Sequence, residues 1–202
     1  MTLPASTRLP AAERRRALIE TAVRVFSSGS YHGSTTAEIS RAAGVSEPIL
    51  YRHFESKRDL YLAAIDHVWQ EVRRQWEAGI ADEPDPGLWL AACGKSYLAI
   101  GADKAVLAEL WVQALAEADG DPELRRHLRR HMQEVHGFLA DVIRRSQAAG
   151  GVLPDRDPVA EAWIFLSGGV LGPIGRRIGL LNDEDVARIR AARLEWMTGR
   201  KP

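Results

Sequence analysis

Between residues 35 and 57 the chain reads Thr-Thr-Ala-Glu-Ile-Ser-Arg-Ala-Ala-Gly-Val-Ser-Glu-Pro-Ile-Leu-Tyr-Arg-His-Phe-Glu-Ser-Lys, a set of side chains suited to a polyanion that carries readable edges. Thr35, Thr36, Ser46 and Tyr51 bring hydroxyls, Arg52 and Lys57 bring cations, and Pro48 and Ile49 bring apolar surface. Arg52 has the fork that grips a guanine, Glu47 can accept from a cytosine amino group, and Ile49 can meet a thymine methyl. Tyr51 and Lys57 suit phosphate oxygens, and Thr35 and Thr36 suit the flanking backbone. Glu47 has a plainer reading, in which it avoids phosphates and contacts nothing.

Two short helices must position these groups. Thr35 followed three residues later by Glu38 is a capping box, which predicts a helix over about 36–43 with Ile39, Ala42 and Ala43 as its buried stripe. Gly44 can take the left-handed conformation that ends it, and Val45 plugs the angle. Ser46 is expected to cap the next helix, with Pro48 tolerated in its first turn. Leu50 and Phe54, four apart, face inward. Glu47, Pro48, Ile49, Tyr51, Arg52 and His53 are left on the outside of a helix barely two turns long, too apolar and aromatic for an ordinary solvated face. A DNA major groove admits one helix and would cover that mixture. The alternative is an exposed helical hairpin whose aromatic residues pack on their neighbours.

The segment resembles the DNA-binding motif of TetR-family transcriptional regulators, carried here by Thr35, Thr36, Ile39, Ala43, Gly44, Val45, Ser46, Leu50, Tyr51, Phe54 and Lys57. Pro48 stands where many members carry glycine, and the match spans roughly residues 10 to 62. The resemblance implies DNA contacts at Thr35, Thr36, Tyr51 and Lys57, with Arg14, Arg15 and Arg16 near the phosphate backbone. It also implies an effector cavity in the C-terminal half, where the available lining groups are Trp69, Trp111 and Phe138, with Gln113 and His136 as polar contacts. Sparse charge on those apolar faces points to a hydrophobic, uncharged or weakly polar small molecule.

The 202 residues are formally neutral, with 27 basic and 27 acidic side chains, yet residues 1–58 carry nine Lys or Arg against five Asp or Glu. The positive field therefore lies at the end that would approach phosphates. Cys93 is the only cysteine, which excludes an intrachain disulfide and fits a reducing cytoplasm with Cys93 as core filler. No run approaches the roughly 20 apolar residues of a membrane span. His127 and His131, four apart, have metal-ligand spacing, but Arg125, Arg126, Arg129 and Arg130 surround them, so a solvated face is expected and no metal. No nucleophile with a base partner, phosphate-cradling loop or carboxylate pair stands out, so neither enzymatic activity nor a cofactor is expected.

Helical period runs almost throughout, which predicts an all-α fold of about nine helices. A three-helix DNA-binding domain is expected over 1–55 and a regulatory and dimerisation domain over 56–202. Helix 1 spans about 10–28 with Leu18, Ala22, Val25 and Phe26 on one face. Helix 4 carries Tyr61, Ile65, Val68, Trp69, Val72 and Trp76 until about Ala78, and Glu-Pro-Asp-Pro sits in a loop from Gly79 to Gly87. Helices 5 and 6 are expected to end near Ile100 and to run from about Asp103 to Ala118. Asp121-Pro122, Asp157-Pro158 and Asn182 mark the starts of helices 7, 8 and 9. Helix 8 holds Gly168, Gly169, Gly172 and Gly175, each costing about 1 kcal/mol against alanine in a helix interior. Close approach of another helix would explain that cost, and with Ile164, Phe165, Val170, Leu171, Ile189, Ala192 and Trp196 it predicts a homodimer through helices 8 and 9. A kink at Gly172-Pro173 is the alternative. With the resemblance, this implies a homodimeric regulator of double-stranded DNA, a repressor released from a palindromic operator by a small hydrophobic molecule; the competing readings are a regulator that activates or responds to no ligand, and a C-terminal enzyme domain on a DNA anchor.

Overall fold

The computed structural model describes residues 10–99, 110 and 112–201. Trp111 and the expected start of helix 6 at Asp103 lie outside the described residues, as do the side chains of Tyr97 and Val170. Nine α-helices are present among the described residues, with no strand. They are α1 (Ala11–Gly29), α2 (Thr36–Ala42), α3 (Glu47–Leu50), α4 (Lys57–Ala81), α5 (Trp89–Ala99), α6 described over 112–117, α7 (Pro122–Ala148), α8 (Pro158–Arg177) and α9 (Asp183–Thr198). Two compact units meet within α4, between His67 and Val68.

The first unit packs α1 on α2 and α2 on α3. Leu18, Ala22, Phe26, Ile39, Leu50, Phe54, Leu60, Tyr61 and Ile65 are buried together in its core. Phe26 meets Tyr61 edge to face at 4.9 Å, the geometry that the ring quadrupoles favour. On α1 the inward positions include Ile19 and Val23, while Val25 is only half-buried.

In the second unit α7 and α8 form the main helix pair. The expected caps at α7 to α9 are made: Asp121 accepts from the Glu123 and Leu124 amides, Asp157 from Val159, and Asn182 with Asp185 closes a full capping box. Helix α4 runs on to Ala81, three residues past its expected end. Gly79 is therefore inside the helix, not at its break, and its place there is steric. A Cβ at Gly79 would stand 2.2 Å from Ser96 Oγ on α5, so glycine is what lets α4 and α5 approach. Cys93 is fully buried, and its thiol is pushed up to about 12 by desolvation, which leaves it a packing residue.

One buried polar cluster went unread in the sequence. The Glu161 carboxylate, on α8, is taken by the Arg193 guanidinium and accepts from Trp196 Nε1 at 2.7 Å, both on α9. Separations of 32 and 35 residues leave no local pattern from which that pairing could be seen. It fixes α9 against α8 and leaves an apolar outer face. Trp163, Ile164, Leu171, Ile174, Ile178, Leu180, Ile189 and Trp196 are all exposed large hydrophobic residues there. A Cβ added at Gly168, Gly169 or Gly172 would meet no atom within 4 Å, whereas one at Gly175 would strike Leu181. At three of the four glycines a Cβ would thus enter open space among the described residues, and α8 is a continuous helix through Gly172-Pro173.

Among the described residues no helix is long and apolar enough to cross a membrane, and no three His, Cys, Asp or Glu are grouped to hold a metal. His131 corrects the expectation of a solvated face: it is buried, its ring edge to face with Trp69 at 6.0 Å. The stripe of α7 that packs on aromatic residues simply passes through it.

Candidate nucleic-acid interface

The capping box is fully formed. Thr35 Oγ1 accepts from the Glu38 amide at 3.1 Å, and the Glu38 carboxylate reaches back to the Thr35 amide. Gly44 has φ +68° and ends α2 as expected. The buried face of α2 differs from the expected stripe: Ile39 and Ser40 are buried, Ala43 is half-buried and Ala42 is exposed. The turn closes over the Ser40 side of the helix, where the Val45 amide donates to the Ser40 carbonyl at 3.0 Å.

Ser46 has the extended backbone of a cap residue, but its side chain makes no capping hydrogen bond. Two groups that it would have served are already accounted for: Pro48 has no N–H, and the Ile49 amide donates to the Ser46 carbonyl at 2.9 Å. Its hydroxyl stays exposed on the outer face.

Leu50 and Phe54 anchor that face from beneath, both essentially fully buried. The Arg15 guanidinium lies over the Phe54 ring, 4.7 Å from its centroid, and Arg16 pairs with Glu20 at 2.8 Å. Above the anchors, Pro48, Tyr51 and Arg52 are exposed while Glu47, Ile49 and His53 are half-buried. Lys57 Nζ sits 4.4 Å from the Tyr31 ring centroid, a cation held at the start of α4. Thr36 Oγ1 donates to Glu47 Oε1 at 2.7 Å and lies 3.1 Å from Tyr51 OH. Glu47 is thus neither idle nor free, and eleven residues of separation hid its tie to Thr36 from sequence reasoning.

Residues 18–64 match the family described as bacterial regulatory proteins, tetR family, and residues 86–167 match the BetI-type transcriptional repressor C-terminal family. The chain belongs to the TetR family of transcriptional regulators. It is 28% identical over 136 residues to the transcriptional regulator BetI of Brucella canis, covering 65% of this chain and 67% of that one. It is 50% identical over 58 residues to the transcriptional activator FasR of Mycolicibacterium smegmatis, a match that spans 29% of this chain and only 26% of that relative. The fold is shared with a transcriptional regulator from Saccharomonospora viridis solved in complex with choline, at a TM-score of 0.74 and 23% identity over 91% of this chain and 94% of that one.

In the second unit of this TetR-family chain, the expected effector residues fall into two groups. Phe138 packs with Trp69 at 6.1 Å and stacks on Trp76 at 5.9 Å; Trp69 and Trp76 meet edge to face at 5.8 Å, and Phe165 closes on Trp76 at 5.9 Å. The Trp76 indole N–H, buried in this cluster, has no hydrogen-bond partner. Gln113 has its Oε1 buried. His136 lies elsewhere: Nε2 donates to the Val159 carbonyl at 3.0 Å and the ring stacks on the exposed Trp163 at 4.4 Å. Its place is the α7–α8 seam rather than the aromatic cluster. It was expected as a polar contact of the effector cavity, and two residues along α7 from Phe138 is about half a turn, which puts it on the other side of the helix.

Proposed function

We propose that this chain acts as a homodimer that represses transcription from a palindromic operator and leaves it when a small molecule enters the aromatic cluster of the second unit. The observation that carries the reading is the outer face of α3, a single helical turn rather than the expected two, and of the turn that follows it, where Pro48, Tyr51 and Arg52 stand exposed on an anchored two-helix frame. Two such faces related by a two-fold axis and about 34 to 36 Å apart read successive major grooves. The apolar α8–α9 surface and its open glycines support the dimer that supplies the second copy. DNA contacts are assigned to Thr35, Thr36, Ser46, Glu47, Pro48, Ile49, Tyr51, Arg52, His53 and Lys57.

Duplex selection from a random pool tests the operator. A selected site should be a two-fold repeat. Arg52→Ala should then relax preference at one position per half-site, at a cost of about 1–3 kcal/mol. Lys57→Ala should instead weaken all sequences alike and reduce the salt slope by about 0.9. Equal losses on selected and random duplexes for both variants would overturn this division of roles.

The effector is assigned to Trp69, Trp76, Phe138 and Gln113, a largely apolar lining that suits a hydrophobic molecule. Helix α4 carries Trp69 and Trp76 in the same unbroken helix whose first residue is Lys57, so a ligand that favours one arrangement of α4 shifts the reading head. A quaternary ammonium ligand is the second reading. The guanidinium of Arg73 already lies 5.6 Å from the Phe138 centroid, so this ring system does accept a cation. Choline and a medium-chain alcohol, titrated separately against tryptophan emission and operator binding, distinguish the two. Phe138→Ala should blunt the response to the active one by about tenfold or more while sparing operator affinity. Release that is equally strong in Phe138→Ala would remove the cluster from the effector site.

A further inference from the structure

The hydroxyl protons at the interface can be counted. Thr36 has one hydroxyl hydrogen, and at 2.7 Å from Glu47 Oε1 it is donated to that carboxylate, which only accepts. The 3.1 Å contact with Tyr51 is therefore made by the tyrosine O–H donating to Thr36 Oγ1. The three side chains form a directed chain: Tyr51 to Thr36 to Glu47. Both hydroxyls are placed to donate to phosphates, yet both hydrogens are committed inside the protein. A phosphate oxygen needs a donor, and Tyr51 and Thr36 offer it one only when the chain opens.

Opening it strips Glu47 of its donor. On DNA of arbitrary sequence that half-buried carboxylate is left near phosphates with only water to accept from. On a sequence with a cytosine N4 amino group within reach, the base supplies the missing donor, and the hydroxyls become free to turn to the backbone.

We propose that Glu47 is a gate on specificity. It withholds the Thr36 and Tyr51 hydroxyls from random DNA and releases them where a C·G pair satisfies its own carboxylate. This rests on the assignment of α3 as the reading helix, and it makes Glu47 a positioning residue for two phosphate contacts as well as a base reader. A carboxylate that merely repelled DNA would lower affinity for every sequence and would act independently of Thr36 and Tyr51.

Gel-shift titrations against a random-sequence 30-base-pair duplex and against the duplex that the wild-type protein selects from a random pool separate these accounts. Glu47→Ala is expected to raise affinity for the random duplex about fivefold and to cut the selected-to-random ratio at least about tenfold. Thr36→Val with Tyr51→Phe, which removes both hydroxyls, should erase the gain on random DNA, because the two effects run through one chain. Glu47→Gln keeps an acceptor oxygen for Thr36 without the charge, so its gain on the random duplex should stay below about twofold, well short of that expected of Glu47→Ala. A gain in Glu47→Gln equal to that in Glu47→Ala, or a gain that survives loss of both hydroxyls, overturns the gate and leaves charge repulsion. The Gln variant carries this test even where the Ala variant does not fold. A selected site with no C·G pair conserved in each half-site also overturns it. Failure to select any duplex would overturn the reading of α3 itself, a result distinct from all of these.

Discussion

Replacing Gly172 or Gly169 with Leu is expected to weaken the dimer by about 30- to 100-fold, the equivalent of roughly 2–3 kcal/mol, and to take tight operator binding with it. The reason lies in what surrounds those positions. Within the protomer a Cβ at either glycine meets nothing within 4 Å among the described residues, so the first carbon of a leucine enters open space there. It should in fact stabilise α8, since glycine is about 1 kcal/mol worse than ordinary helix formers inside a helix. Only an apposed second helix makes leucine harmful. Dimer and protomer stability should therefore move in opposite directions, which a general defect in folding would not produce. Sedimentation velocity at micromolar concentration, beside circular dichroism melts, reads both. A wild-type monomer, or a Leu variant that dimerises as tightly as wild type, would refute the assignment of α8 and α9.

Phe54→Ala is expected to abolish operator binding while leaving the regulatory unit folded. Phe54 is 1% exposed and stands beneath the reading face with Leu50. Truncating a buried phenylalanine costs about 3–5 kcal/mol, a large share of what holds a small domain together. The cation contact from Arg15 is lost with the ring. All six tryptophans lie at position 69 or beyond, in the second unit, so their emission reports on that unit and not on the damage. Near-wild-type tryptophan emission, with DNA affinity lowered by at least about a hundredfold, is the expected pair of results. If tryptophan emission collapses in parallel, Phe54 supports the whole chain and the two units do not fail separately.

The short spacing rules made the reading head legible. A capping box, a left-handed glycine and two apolar residues four apart act over a few residues, so Thr35, Glu38, Gly44, Leu50 and Phe54 declared their roles in the linear text. The same locality exposed the caps of α7, α8 and α9, each an Asp or Asn whose side chain reaches amides two or three residues on. The stripe from Tyr61 to Trp76 on α4 was equally plain, because a helix repeats its buried face every three to four residues.

What depended on pairing across the chain was not legible, because the sequence carries no distance between residues that meet only after folding. Glu47 was read as a free acceptor, and tertiary structure alone gave it Thr36 as a partner. Gly79 was placed at the start of the loop that carries Glu-Pro-Asp-Pro, yet it lies inside α4, where the approach of Ser96 from α5 makes glycine the residue that fits. His131 was placed on a solvated face by its arginine neighbours, and Trp69 took it into the core. His136 was expected as a polar contact of the effector cavity, and Val159 and Trp163 drew it to α8. The glycines of α8 divide on the same ground: they were read together as a face for a second helix, with a kink at Gly172-Pro173 as the alternative, whereas Leu181 lies against Gly175 and leaves Gly168, Gly169 and Gly172 open. Local hydrogen bonding and periodicity determined the elements and the family motif. The contacts between elements decided which of the exposed groups are free to act.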